Sequence, residues 1–160
     1  MRKSIVTPIV TATSPLGELW RDLIRIARVE MTSEDATFPI EQALGKATTA
    51  GWRASATGSQ MIRLNFDEPL NIRRIQLHFI DRAAERTQEF TLLANSENGA
   101  LREVVRQQWT FNPNGATEEI EDYAVELSGV TVLELQIDPD KAHDAAHSQN
   151  YASLASLKIA

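Results

Sequence analysis

Cysteine is absent from the 160 residues. That absence excludes a disulfide framework, a thiolate nucleophile, an iron–sulfur cluster and a Cys-ligated zinc. Positive charge is scarce too: 16 Lys and Arg stand against 22 Asp and Glu, a formal net charge of −6. The broad attraction on which nonspecific binding to nucleic-acid phosphates or anionic lipid relies is therefore missing, and neither nucleic acid nor membrane is expected as a partner. The chain also lacks a glycine-rich phosphate loop, a Gly-x-Ser-x-Gly elbow and a nucleophile–base pair, so it reads as no enzyme. Internal repeats and low-complexity tracts are not seen either. What remains, 42% hydrophobic and 24% charged, is the composition of a soluble globular chain, long enough for one domain with a proper core. At the start, Met1-Arg2-Lys3 mimics the basic region of a secretory signal. The apolar stretch Ile5–Val10 is too short and too interrupted by Thr7 and Pro8 to serve as one, so a cytoplasmic location is expected.

Ser14 followed by Pro15 is a helix-start signal: an N-cap hydroxyl, then a proline where a missing N–H costs nothing. Leu16, Leu19, Trp20, Leu23, Ile24 and Ala27 recur at helical spacing, while Glu18, Arg21, Asp22, Arg25 and Arg28 take the other face. The pattern predicts an amphipathic helix over about residues 15–28, within an extension covering 1–28. Its stripe is suited to docking on the domain or to pairing two copies as a homodimer.

From Val29 onward the period falls to two, the mark of half-buried strands. Ile62, Leu64 and Phe66 alternate with polar residues, Pro69 punctuates, and Ile75, Leu77 and Phe79 follow; two adjacent antiparallel strands are the simplest solution. Phe90 and Leu92 carry a third strand, ending at Asn95-Ser96-Glu97-Asn98-Gly99, and Val105, Gln107, Trp109 and Phe111 a fourth. Tyr123, Val125 and Leu127 give a fifth, Ser128-Gly129 a tight connection, and Leu133, Leu135 and Ile137 a sixth. Leu154, Leu157 and Ile159 break parity once, which predicts a bulge or a late strand start. The expected class is all-β, a two-sheet sandwich or jelly roll over residues 29–160.

The order of blocks resembles the discoidin, or coagulation factor V/VIII type C, family. The residues that carry the resemblance are Glu30–Asp35, Ala43-Leu44-Gly45, Gly51-Trp52-Arg53-Ala54, Gln60–Pro69, Ile72–Ile75, Phe90–Leu93, Val132–Pro139 and Ser153–Ile159. Arg86–Phe90, Val105–Trp109 and Glu121–Tyr123 look like a bacterial subgroup of discoidin-like proteins. The resemblance implies a galactose-binding-like jelly roll acting as a non-catalytic binding module, with carbohydrate taken through loops at one end of the sandwich. The alternative it leaves open is an intracellular protein–protein interaction module of the same fold. Sugar-binding relatives often hold a structural calcium near the first loop with an acidic residue in the last strand. Ser156 stands there in this chain, which puts that calcium in doubt.

Among candidate ligand contacts, Arg86, Gln88, Arg106, Gln108, Trp109 and Asn112 have the chemistry for a sugar: a ring to stack, amides and guanidinium groups to fix hydroxyls. The competing reading makes Trp109 a core residue and Arg106 and Gln108 an ordinary wet face. Trp52 and Arg53 pose the same choice between a stacking platform and a loop plug. His143 and His147, four apart near Asp138, Asp140 and Asp144, lack the glutamate of a metalloprotease helix and the pattern of a calcium loop, so no metal site is expected. His78 reads as an exposed strand residue, and the acids of Glu118–Asp122 as a device that keeps a strand edge soluble.

Overall fold

The computed structural model describes residues 20–45, 50–97, 99–141 and 150–160. Ten elements follow in order: α1 (Leu23–Ile26), β1 (Ala27–Met31), α2 (Glu41–Leu44), β2 (Trp52–Thr57), β3 (Gln60–Ile80), β4 (Arg86–Ala94), β5 (Arg102–Phe111), β6 (Glu118–Asp138), β7 (Tyr151–Leu154) and β8 (Ser156–Ile159). The antiparallel ladders build a β-sandwich jelly roll.

Two 21-residue strands, β3 and β6, organise everything else. Each runs through both layers of the sandwich. The first half of β3 pairs with β1 on one side and with the second half of β6 on the other; β4 and β5 extend that layer, giving the order β1-β3-β6-β4-β5. The second half of β3 pairs with β8 and with the first half of β6. Segments 62–66 and 75–79 are thus not neighbours, as the alternation suggested, but two halves of one strand. Register shifts between Asn65 and Arg74 bend it, and Pro69 sits at that bend, where a missing ladder N–H is tolerated.

Ser128-Gly129 likewise marks a bend inside β6 rather than a turn between strands. Gly129 has φ 63°, a Cβ there would stand 3.2 Å from the Glu97 backbone nitrogen, and Asn95 Oδ1 accepts both the Thr131 and Val132 N–H groups. The local signals for a bulge and for a turn are the same, because both need a residue that leaves the extended region and an outside partner for the freed backbone groups.

The core is built from the inward parity of these strands: Ile62 and Leu64, Ile75, Leu77 and Phe79, Phe90 and Leu92, Leu133, Leu135 and Ile137, all buried. Phe79 from one layer stacks on Phe90 from the other with ring centroids 5.3 Å apart. The parity break after Leu154 is a change of partner, since β7 pairs with β2 while β8 pairs with β3; Ala155 between them donates its N–H to His78 O at 2.9 Å.

At the amino-terminal side, the helix within the described residues is the single turn α1. Trp20–Asp22 is irregular, and Ala27 and Arg28, placed in the helix by periodicity, open β1. Five ladder positions, from Ala27 opposite Phe66 to Met31 opposite Ile62, hold this segment extended. Gains of that kind outweigh helix propensities worth a few tenths of a kcal/mol per residue, roughly. Positions 15–19, like His143, Asp144 and His147, lie outside the described residues. Leu23 is buried, and Trp20 lies against Arg74, whose guanidinium carbon is 4.8 Å from the ring centroid.

Candidate functional site

The connections after β1, β3, β5 and β6 all leave from one end of the sandwich. A cavity of about 440 Å³ opens there, lined among others by Phe38, Gly51, Arg53, His78, Arg82 and Ser153. Its floor is backbone. Gly51 has φ 74°, and a Cβ at this position would lie 2.8 Å from Ala155 Cα, so only glycine lets the start of β2 close onto β7. Trp52 also borders this cavity, but it is 1% exposed, so its ring plugs the core and offers no open face for stacking.

Arg53, the next residue outward, does stand at the rim. The chain between β1 and β2 is pinned alongside it: Asp35 N–H donates to Arg53 O at 2.8 Å and Arg53 N–H to Phe38 O at 3.1 Å. The same pinning sets the Arg53 guanidinium carbon 5.8 Å from the Phe38 ring centroid, where the ring face helps hold the cation in place. The facing wall comes from the end of β3, as His78 and Ile80, and from Arg82 in the turn that follows. Asp81 shapes this turn by accepting the Ala83 and Ala84 N–H groups and the Nε–H of Arg86. Burial pushes the Asp81 carboxyl up, but the Ala83 N–H, the Arg86 guanidinium and the Ala84 N–H outweigh it and hold it below its ordinary value. Arg82 and His78 both reach toward Glu118, at 3.6 and 3.5 Å.

The other expected contacts are dispersed. Arg86 and Gln88 are buried between the layers, the latter 1% exposed. Arg86 donates to Asp81, to Gln88 and to Pro139 O at 2.8 Å, and its guanidinium covers the Phe111 ring at 4.7 Å, so it is a strut and not a contact for a ligand. Arg106 and Gln108 lie on the outer face of the five-stranded layer, where Arg106 Nη1 and Gln108 Nε2 donate to Glu89. The Gln108 amide first, then Lys141 and Arg106, hold the Glu89 carboxyl below its ordinary value against the cost of burial. Trp109 has the opposite strand parity and packs against the core, so it shares no face with Arg106 and Gln108. Asn112 closes the turn before β6, its Oδ1 accepting the Asn114 N–H at 2.9 Å. Of the expected set, Trp52 and Arg53 line this cavity, and of the two Arg53 is the exposed one.

One further acid differs from its expected role. Glu119, expected on a wet edge, is 1% exposed, with Gln88 Nε2 at 3.5 Å from Oε1 and no hydrogen-bond partner at Oε2. Burial first, then the neighbouring Glu121, pushes its carboxyl up to about 8. Burial and the same two carboxylates raise the Tyr123 phenol well above its ordinary value.

The residues do not fit the calcium of sugar-binding relatives. Ser156 is buried and brings no carboxylate, Glu34 and Asp35 accept the N–H groups of Ile40 and Thr37, and no group of three or more His, Asp or Glu that could hold a metal occurs among the described residues.

No family model matches the chain, and no curated protein matches it. Solved structures do. The family 32 carbohydrate-binding module of Clostridium perfringens NanJ, in complex with galactose, superimposes with a TM-score of 0.61 at 14% identity, over 88% of this chain and 96% of that one. The fold is that of a family 32 carbohydrate-binding module. Another such module from the same organism, in complex with GalNAc-β-1,3-galactose, gives a TM-score of 0.63 at 13% identity over 88% and 98% of the two chains. The module of AlyQ, in complex with 4,5-unsaturated mannuronic acid, gives 0.56 at 18% identity over 84% and 95%. Discoidin domains share this galactose-binding-like jelly roll.

Proposed function

We propose that this protein is a non-catalytic carbohydrate-binding module that takes a sugar in the cavity at the loop end of the sandwich. The observation that carries the reading is the cavity's make-up: a rigid backbone floor fixed by Gly51, with guanidinium, imidazole and hydroxyl groups from Arg53, Arg82, His78 and Ser153 on its walls. A volume of about 440 Å³ falls in the range of small-molecule sites. Donors held by strands and short turns are preorganised for hydroxyls, which limits the entropy lost on binding. The relatives with bound galactose and mannuronic acid support the class of ligand.

A glycan-array screen with and without calcium tests the proposal. Reproducible hits, lost in Arg53→Ala, retained in Arg106→Ala and indifferent to calcium, are expected. A blank array would sink it and turn the reading to a protein-interaction module of the same fold.

A further inference from the structure

We propose that the cavity selects sugars carrying a carboxylate, that is, uronic-acid units, over neutral sugars; this rests on the carbohydrate reading of the same site. The chain carries a net charge of −6, yet the residues lining the cavity include two arginines and a histidine and no acid. The site therefore runs against the sign of the molecule. Arg53 is exposed at the rim over Phe38, and Arg82 has 70% of its side chain exposed, held only by a 3.6 Å approach to Glu118. An exposed pair at that distance is weak, so the Arg82 guanidinium is free to turn to a ligand carboxylate in the bidentate manner that arginine favours.

The polar groove on the outer face of the five-stranded layer is the instructive contrast. It spans about 330 Å³ and is lined by Glu89 and Asp138 as well as Arg106. Its arginine is already engaged by Glu89 at 2.8 Å and Glu103 at 2.9 Å. An incoming anion would meet carboxylates there and no uncommitted guanidinium. Of these two sites, the end cavity is the one that offers an acidic sugar a net attraction.

The test is a titration of the protein with an oligogalacturonate and with a neutral galactan oligomer of equal length, by calorimetry at low salt. Two exposed arginine–carboxylate contacts are worth roughly a three- to tenfold preference for the acidic oligomer. That margin is expected to collapse in Arg53→Gln/Arg82→Gln and to shrink in the unaltered protein at about 0.5 M salt, where screening shortens the reach of charge. Should the double variant fail to fold, the salt dependence of the unaltered protein still decides. Equal affinities, or tighter binding of the neutral oligomer, would overturn acidic selectivity while leaving the carbohydrate reading standing. Binding of neither oligomer, together with a blank array, overturns both.

Discussion

Replacing Glu119 with glutamine removes one proton from the folding equilibrium and leaves the shape of the core alone. Glu119 sits inside the sandwich beside Gln88, and burial together with Glu121 carries its carboxyl from 4.5 to about 8. Between those two pH values the folded chain keeps the proton while the unfolded chain has lost it. The folded state then binds more protons, so stability falls as pH rises through this window, and above about 8 the charge is buried outright. The full displacement corresponds to a ceiling of about 5 kcal/mol, and relaxation of the surroundings around a buried charge brings the expected figure to about 2 kcal/mol. A glutamine retains the oxygen that Gln88 approaches and never ionises. Urea unfolding of both proteins at about pH 5.5 and about pH 8.5 is the assay. Groups common to both cancel in the comparison, leaving the Glu119 contribution. Near-equal stability at the lower pH and a glutamine variant more stable by about 2 kcal/mol at the higher one is expected. Parallel losses in the two proteins, within about 0.5 kcal/mol, would show that Glu119 does not hold a proton in the folded state.

Gly51→Ala is expected to cost about 2–4 kcal/mol, because the new Cβ meets Ala155 Cα at 2.8 Å in a backbone with φ 74°; a melting temperature within a degree or two of the parent's would contradict the close approach. Arg86→Met is expected to cost about 3–5 kcal/mol by denaturant unfolding, since Asp81 and Pro139 O lose a buried donor. Arg106→Ala leaves Glu89 with Lys141 and Gln108, so a melting temperature close to the parent's and unchanged sugar binding are expected. On the acid side, Asp81, Glu89 and Asp122 are all held below their ordinary values, so they stabilise the fold above the ordinary carboxylate range and that stabilisation is lost as pH falls through their lowered values. An acid titration followed by tryptophan fluorescence checks this; an unaltered melting temperature down to about pH 2 would refute it.

The strands were legible wherever alternation is local. Ile62–Phe66, Ile75–Phe79 and Leu133–Ile137 face the core as their parity dictates. What alternation does not encode is which strand meets which. Pro69 and Gly129 interrupt the pattern in a way that a turn and a bulge produce equally, so two long strands looked like four. The partner switch after Leu154 was visible as a parity break, but its cause, a change from β2 to β3, is a tertiary fact. Among the residues lining the end cavity, Arg53 drew notice in the sequence because it adjoins a conspicuous Gly-Trp. Phe38, His78 and Arg82 were not among the expected contacts: they come from three separate segments, and nothing in their own surroundings brings them together until the chain between β1 and β2 is laid along β2. Arg86, Gln88 and Glu119 misled for another reason. Polar residues on a strand usually face water, and these instead satisfy much of one another's hydrogen-bonding demand in the interior.

Because β3 and β6 each belong to both layers, neither layer can come apart while the other stays intact: tearing one open pulls on the same two backbones that thread its neighbour. Unfolding is accordingly expected to be a single concerted event. The amide protons of β3 and β6 on the two sides of the bend are expected to exchange with solvent at one common, slow limit, and a protease has no half-open intermediate to attack. The end cavity draws its facing wall from the tip of β3, so this shared backbone also makes that wall as long-lived as the fold itself.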